Sequence, residues 1–297
     1  VDGHITDASM NRAIIDDIKV YVHKGLAKKV TNLLDALKIM CSVNEMPIQD
    51  DRIHFQNGTY FIDEDRFIPD KEFCINRLSV AYNPEAPKPV RWLKFLDELL
   101  YEEDIPTLQE FMGYTMIPTT RAQKMLMVIG NGGEGKSRIG RVLRAVLGDN
   151  MNTTSIEKLA KDRFCPADQE GKLLMLDDDM KMSALPDTNV LKAVVTIEDK
   201  IDLERKGKQS FQGRLFVRIM GFGNGSLAAL YDRSDGFYRR QIALQVKNKD
   251  QDRIDDTKLG DKMIEEAESN GSGCNRTHPG EGARPRSGLH GRGYPGN

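Results

Sequence analysis

Residues 130–138 read GNGGEGKSR, in which Gly130, Gly135, Lys136 and Ser137 have the spacing of a phosphate-binding loop, G-x-x-x-x-G-K-S. Small residues there let backbone N–H groups turn inward around phosphate oxygens at a helix N-terminus. Lys136 would reach the β and γ phosphates of a nucleotide and Ser137 would hold Mg²⁺. The nucleotide-binding stretch is taken to run from Gly130 through Asn131, Gly132, Gly133, Glu134, Gly135, Lys136 and Ser137 to Arg138. A purely structural glycine turn is the plain alternative, but the complete motif lies between an apolar run and a helical stripe, as a phosphate loop requires.

Further along, an apolar run from Leu173 to Leu176 ends in Asp177, Asp178 and Asp179. After a phosphate loop, such acids supply one carboxylate to the Mg²⁺ shell and another to polarise an attacking water. Spacing leaves open which two of the three act; Asp178 is assigned with Ser137 to the metal. The run LFVRIMGFGN ends in Asn224, whose amide could orient the γ-phosphate or the water. Arg239 and Arg240 stand just before another apolar run, where an arginine at a subunit border can neutralise transition-state charge. Between two strand-like runs lies ERKGKQS, which concentrates Arg205, Lys206 and Lys208 at the tip of an expected hairpin. Such a tip could grip a nucleic-acid backbone, although an ordinary solvated turn would account for the residue types alone.

These residues need elements to hold them. Met125–Ile129 reads as a buried strand, and Ile139, Val142, Leu143, Val146 and Leu147 recur at helical spacing before Gly148. Upstream, residues 10–45 carry helical periodicity through Ile14, Ile15, Ile18, Leu33, Leu34, Leu37 and Met40. RIHFQNGTYFID centres Asn57–Gly58 between β-prone runs, which predicts a tight hairpin with positive φ at its centre. Pro84, Pro87 and Pro89 interrupt the chain before Trp92, Phe95, Leu96, Leu99 and Leu100 line one helix face, so a domain boundary is expected near Pro89. The expected division is 1–89, a small mainly helical α+β unit with a hairpin; 90–268, the nucleotide-binding unit; and 269–297, a tail. That tail is rich in glycine, proline and arginine, lacks apolar periodicity and is expected to be disordered. A nucleic-acid-binding arginine-glycine tail would be its functional reading, but the sparse arginines favour an out-of-frame or truncated C-terminus.

Composition narrows the class. With 43 basic against 45 acidic residues the net charge is −2, so contact with nucleic acid must come from a local patch. The four cysteines form no C-x-x-C pair and the five histidines do not cluster with them, which disfavours a zinc site or a disulfide framework and suits a reducing cytoplasm. No apolar run approaches the length of a membrane span, and the N-terminus lacks a signal-peptide pattern, so no membrane association is expected.

Taken in order, GNGGEGKS, LLMLDDDM, LKAVVTIEDKIDLERKGK, GFGN and DRSDGFYRR resemble the motif series of superfamily 3 helicases. The likeness is to the helicase part of phage and plasmid primase-helicases, related to the poxvirus primase-helicase, and it extends over about residues 30–250. The resemblance implies an AAA+-like α/β P-loop ATPase core, with a parallel-rich sheet flanked by helices. Gly130–Ser137 would be its Walker A loop, the aspartates its Walker B, and Lys206 and Lys208 its basic hairpin. Asn224 would be sensor 1, and Arg239 or Arg240 the arginine finger. It further implies ATP and Mg²⁺ as cofactors, and a homo-oligomeric ring, usually a hexamer, moving on single-stranded DNA in a bacterial host's cytoplasm. The family's primase portion would precede residue 1, so priming is not expected of this chain. Two other classes compete. One is a P-loop kinase, which would need no arginine in trans; the other is a DNA-loading accessory with a decayed site, which the intact Lys136, Ser137 and aspartates disfavour.

Overall fold

The computed structural model describes residues 7–41, 48–181, 189–197, 199–225, 239–249 and 256–269. The chain opens with two helices, α1 (Asp7–Ile18) and α2 (Leu26–Met40), that bury Ile14, Val30 and Leu34 against each other in a small cluster of their own. An antiparallel meander follows: β1 (Arg52–Phe55), β2 (Gly58–Phe61) and β3 (Arg66–Ile68).

The expected hairpin forms, but one residue earlier. Phe55 pairs with Gly58, so the turn residues are Gln56 and Asn57, and neither Asn57 nor Gly58 has a positive φ. Tertiary contacts explain the displacement. Asn57 donates from Nδ2 to the Tyr82 carbonyl at 2.8 Å and accepts the Tyr82 N–H at 2.8 Å, tying the turn to the following strap. Gly58 is required for space instead: a Cβ there would lie 2.6 Å from the Phe67 ring.

Next come α3 (Val90–Leu99), α4 (Ile105–Tyr114) and the central sheet. The sheet is five-stranded, in the order β10 (Gln241–Gln245), β4 (Met125–Gly130), β9 (Arg218–Asn224), β6 (Leu174–Met180), β5 (Met151–Thr153). Every pairing in it is parallel. A parallel sheet must be covered on both faces, and β4 is accordingly buried at every position. Its alternate side chains serve two cores. Leu126 and Val128 join α3 and α5 (Ser137–Leu147), together with Ile53, Phe55, Leu78 and Val80 of the meander region. Met125, Met127 and Ile129 join α6 (Ile156–Lys161) and α7 (Asn189–Thr196) on the other face. The apolar stripe Ile139, Val142, Leu143, Val146 and Leu147 is the buried face of α5. A Cβ at Gly140 would lie 2.6 Å from Leu176, so glycine there lets α5 approach β6 closely.

Two elements complete the frame. β7 (Lys200–Leu203) and β8 (Phe211–Arg214) form the separate antiparallel hairpin expected around ERKGKQS. The last helix, α8 (Leu259–Ser269), packs on α5 and α3, where the Glu266 carboxylate accepts the N–H groups of Arg91 and Trp92 at the start of α3. Among the described residues no helix is long and apolar enough to cross a membrane. The expectation of a disordered tail concerns residues 270–297, which lie outside the described residues.

Candidate nucleotide site

The loop leaves β4 at the carboxyl end of the sheet, the edge where ligands bind in open parallel sheets. Gly132, Gly133 and Gly135 all have positive φ, a region that costs glycine little and other residues more. This backbone turns donors inward. The N–H groups of Asn131 and Gly132 both donate to Oε1 of Glu134, the latter at 2.8 Å. Lys136 Nζ donates to Glu134 Oε2 at 2.8 Å and to Asn224 Oδ1 at 2.9 Å. The Lys136 and Glu134 side chains are only 7% and 3% exposed. Burial acts first to raise the Glu134 carboxyl, but Lys136 and the loop amides outweigh it and hold the group below the usual carboxylate range. The loop's amides and lysine thus enclose a carboxylate, an anion held by the same kind of donors that a nucleotide phosphate would need. Asn131 is braced from outside by a hydrogen bond of 2.9 Å from its Nδ2 to Asn248 Oδ1.

Asn224 reaches this cradle because β9 lies directly beside β4, with Gly130 paired to Asn224 at the strand ends. β6, which carries the acids, is the next strand out. The acids lie within this strand, which runs on to Met180, rather than after its end. Alternation then separates them. Asp178 is exposed and lines a cavity of about 350 Å³ with Ser137, Gly140, Arg141, Arg144 and Leu176. Asp177 points the other way and is buried, accepting the Ile156 N–H at 2.7 Å and the Asp179 N–H at 3.3 Å. Burial raises the Asp177 carboxyl above its ordinary range; Asp178 and Asp179 push it the same way, and the two amides only partly offset this. Asp179 is exposed. Ser137 and Asp178 thus line one cavity, where they could share a divalent cation, whereas Asp177 holds the start of α6.

The arginines lie elsewhere. Arg239 and Arg240 precede β10, and the Arg240 carbonyl accepts the N–H of Met125, the first residue of β4. They therefore sit at the end of the sheet opposite the loop, about 20 Å away at the rise of an extended strand. The hairpin tip is distant from the cradle in fold terms as well. Arg205 is paired with Glu170 and lies over the Phe211 ring, while Lys206 and Lys208 are exposed. Arg138 donates to the Asp256 carbonyl at 3.1 Å, facing the segment before α8. Sequence reasoning included Glu134 only as one loop residue and missed that its side chain fills the cradle. The signal was a lone acid among glycines, two positions before the lysine.

Two family models match the chain, each over less than half of it. Residues 8–100 match the family described as D5 N terminal like, and residues 128–240 match a family of unknown function, DUF5906. The second stretch encloses the loop, the acids, the hairpin, Asn224 and the arginine pair. No curated protein matches the chain. Among solved structures, the A form apo structure of the NrS-1 C terminal region has a TM-score of 0.52 at 16% identity, covering 82% of this chain and 60% of that one. The apo structure of the NrS-1 C terminal region (305-718) has a TM-score of 0.51 at 15% identity, covering 80% and 58%. These likenesses define a shared α/β fold, and this chain spans about three fifths of the structures it matches.

Proposed function

We propose that this chain is the ATP-driven motor of a superfamily 3 helicase, serving replication of a phage or mobile element within a bacterial cytoplasm. The observation that carries the reading is the convergence of two loop amides and Lys136 on one anion position, with Asn224 accepting from the same Lys136, beside a cavity that Ser137 and Asp178 both line. ATP would seat its phosphates on the loop from Gly130 to Ser137. Ser137 and Asp178 would hold Mg²⁺, which supplies charge neutralisation at the phosphates. Asn224 would orient the γ-phosphate or the attacking water, with Asp179 the remaining exposed acid.

The distance between loop and arginines favours a ring over a monomeric kinase. An arginine at the far end of the sheet is out of reach of its own cradle, but not of a neighbouring subunit's. Lys206 and Lys208, exposed on the β7–β8 turn, would meet the backbone of single-stranded DNA in the channel of a homo-oligomer, with priming left to a separate portion or protein. The match to the D5 N terminal like family and the fold shared with the NrS-1 C terminal region support a place among phage primase-helicases. The deciding measurement is ATP hydrolysis with and without single-stranded DNA, in the unaltered chain and in Lys136→Ala. The expected result is turnover that DNA stimulates and that the alanine abolishes. Turnover at the parent rate in Lys136→Ala would reject the loop assignment, and dependence on a small-molecule acceptor would favour a kinase.

A further inference from the structure

We propose that Glu134 is a built-in competitor for the phosphate cradle, which nucleotide must displace in order to bind. The inference rests on the nucleotide reading of the loop and deepens it. One carboxylate satisfies the donors on which that reading depends: Oε1 takes the N–H groups of Asn131 and Gly132, and Oε2 takes the Lys136 ammonium. The seat is shaped for it. A Cβ on Gly130 would fall 2.7 Å from Glu134 Oε1, so the first glycine of the motif provides room for the acid's own oxygen. The ion pair is nearly removed from solvent, and an ammonium so placed is poorly tolerated alone.

Displacement therefore exchanges anions rather than vacating the site. A phosphate taking the same amides and Lys136 keeps the lysine compensated, while the glutamate, flanked by Gly133 and Gly135, rotates away. A ligand offering one weak charge gains nothing over the resident carboxylate; a polyphosphate gains further contacts along the loop. Glu134 would thus lower apparent nucleotide affinity and favour polyphosphates, with the open form a minor population.

The test is equilibrium binding of ATP in EDTA, so that hydrolysis plays no part, followed by calorimetry for the unaltered chain, Glu134→Gln and Glu134→Ala. Circular dichroism checks the fold of each. Both variants should bind ATP more tightly, by about tenfold if the open form is about one tenth populated. Affinity unchanged or weakened in a folded variant, while the unaltered chain binds ATP, would overturn the competitor and leave the nucleotide site standing. If none of the three proteins binds ATP, the nucleotide reading and the inference fall together. Loss of fold in both variants would make Glu134 a structural strut and overturn the inference.

Discussion

Replacing Asp177 and replacing Asp178 should have opposite consequences, although the two are neighbours on one strand. Asp177 is 5% exposed and supports the first N–H of α6, a helix of six residues whose other cap is the Ser155 hydroxyl accepting from Lys158. Alanine at 177 leaves the Ile156 N–H buried without an acceptor, a loss of about 1–3 kcal/mol in unfolding free energy. Asparagine keeps an acceptor and removes a charge that burial already disfavours, so Asp177→Asn should stay within about 1 kcal/mol of the parent. Asp178 is exposed, and Asp178→Asn should change stability by no more than about 0.5 kcal/mol. If it shares Mg²⁺ with Ser137, its loss removes several kcal/mol of charge stabilisation, and turnover should fall by about 10² or more. Urea unfolding followed by circular dichroism measures the first effect, and steady-state ATP hydrolysis with Mg²⁺ the second. An Asp177→Ala protein as stable as the parent, or an Asp178→Asn protein hydrolysing ATP at the parent rate, would refute the division of labour along β6.

Other consequences are open to measurement. Alanine at both Lys206 and Lys208 should weaken single-stranded DNA binding and lower its salt slope by about 1.4, at about 0.7 for each phosphate no longer neutralised; an unchanged slope would remove the hairpin from the DNA path. Arg239→Ala should lose ATP turnover alone and regain part of it when mixed with Lys136→Ala, since a mixed interface pairs an intact loop with an intact arginine. No recovery in assembled mixtures would count against action in trans. His54 is buried in the meander with Nε2 2.9 Å from Gln49 Oε1, and burial first, then the Arg77 charge, holds it down to about 4. Because its folded value lies below the ordinary 6.5, the stability it confers is complete above pH 6.5 and is lost as pH falls towards 4, by about 3 kcal/mol at 1.36 kcal/mol per unit. The drop in urea midpoint across that window should be smaller in His54→Gln; equal drops would show that carboxylates elsewhere carry the acid sensitivity.

The loop and its two flanking elements were legible because three local signals coincide there: a continuous apolar run, a spaced glycine motif and a helical stripe. The β7–β8 hairpin was legible for a similar reason, since its polar tip separates two short strand-like runs. Long-range contacts decided the rest. Asn57–Gly58 has the chemistry of a tight turn, yet the Tyr82 backbone captures Asn57 and moves the turn back by one residue. Nothing local reveals that β9 inserts between the loop strand and the acid strand, which is what brings Asn224 to Lys136. The three aspartates mark the boundary case. Leu174 and Leu176 share one face of β6 and Met175 and Asp177 the other, as strand alternation requires, and a bulge between Asp177 and Met180 then returns Met180 to the face of Met175. Choosing which acid lies beside Ser137 needs only the identity of the face that α5 covers. Once β4 and β6 are known to run parallel, with α5 packed through Gly140 on Leu176, the face bearing Leu176 is the face of Ser137, and Asp178 follows as the acid beside it. The assignment was thus one topological fact short of being readable, and that fact lies in the order of strands, which no single stretch of sequence contains.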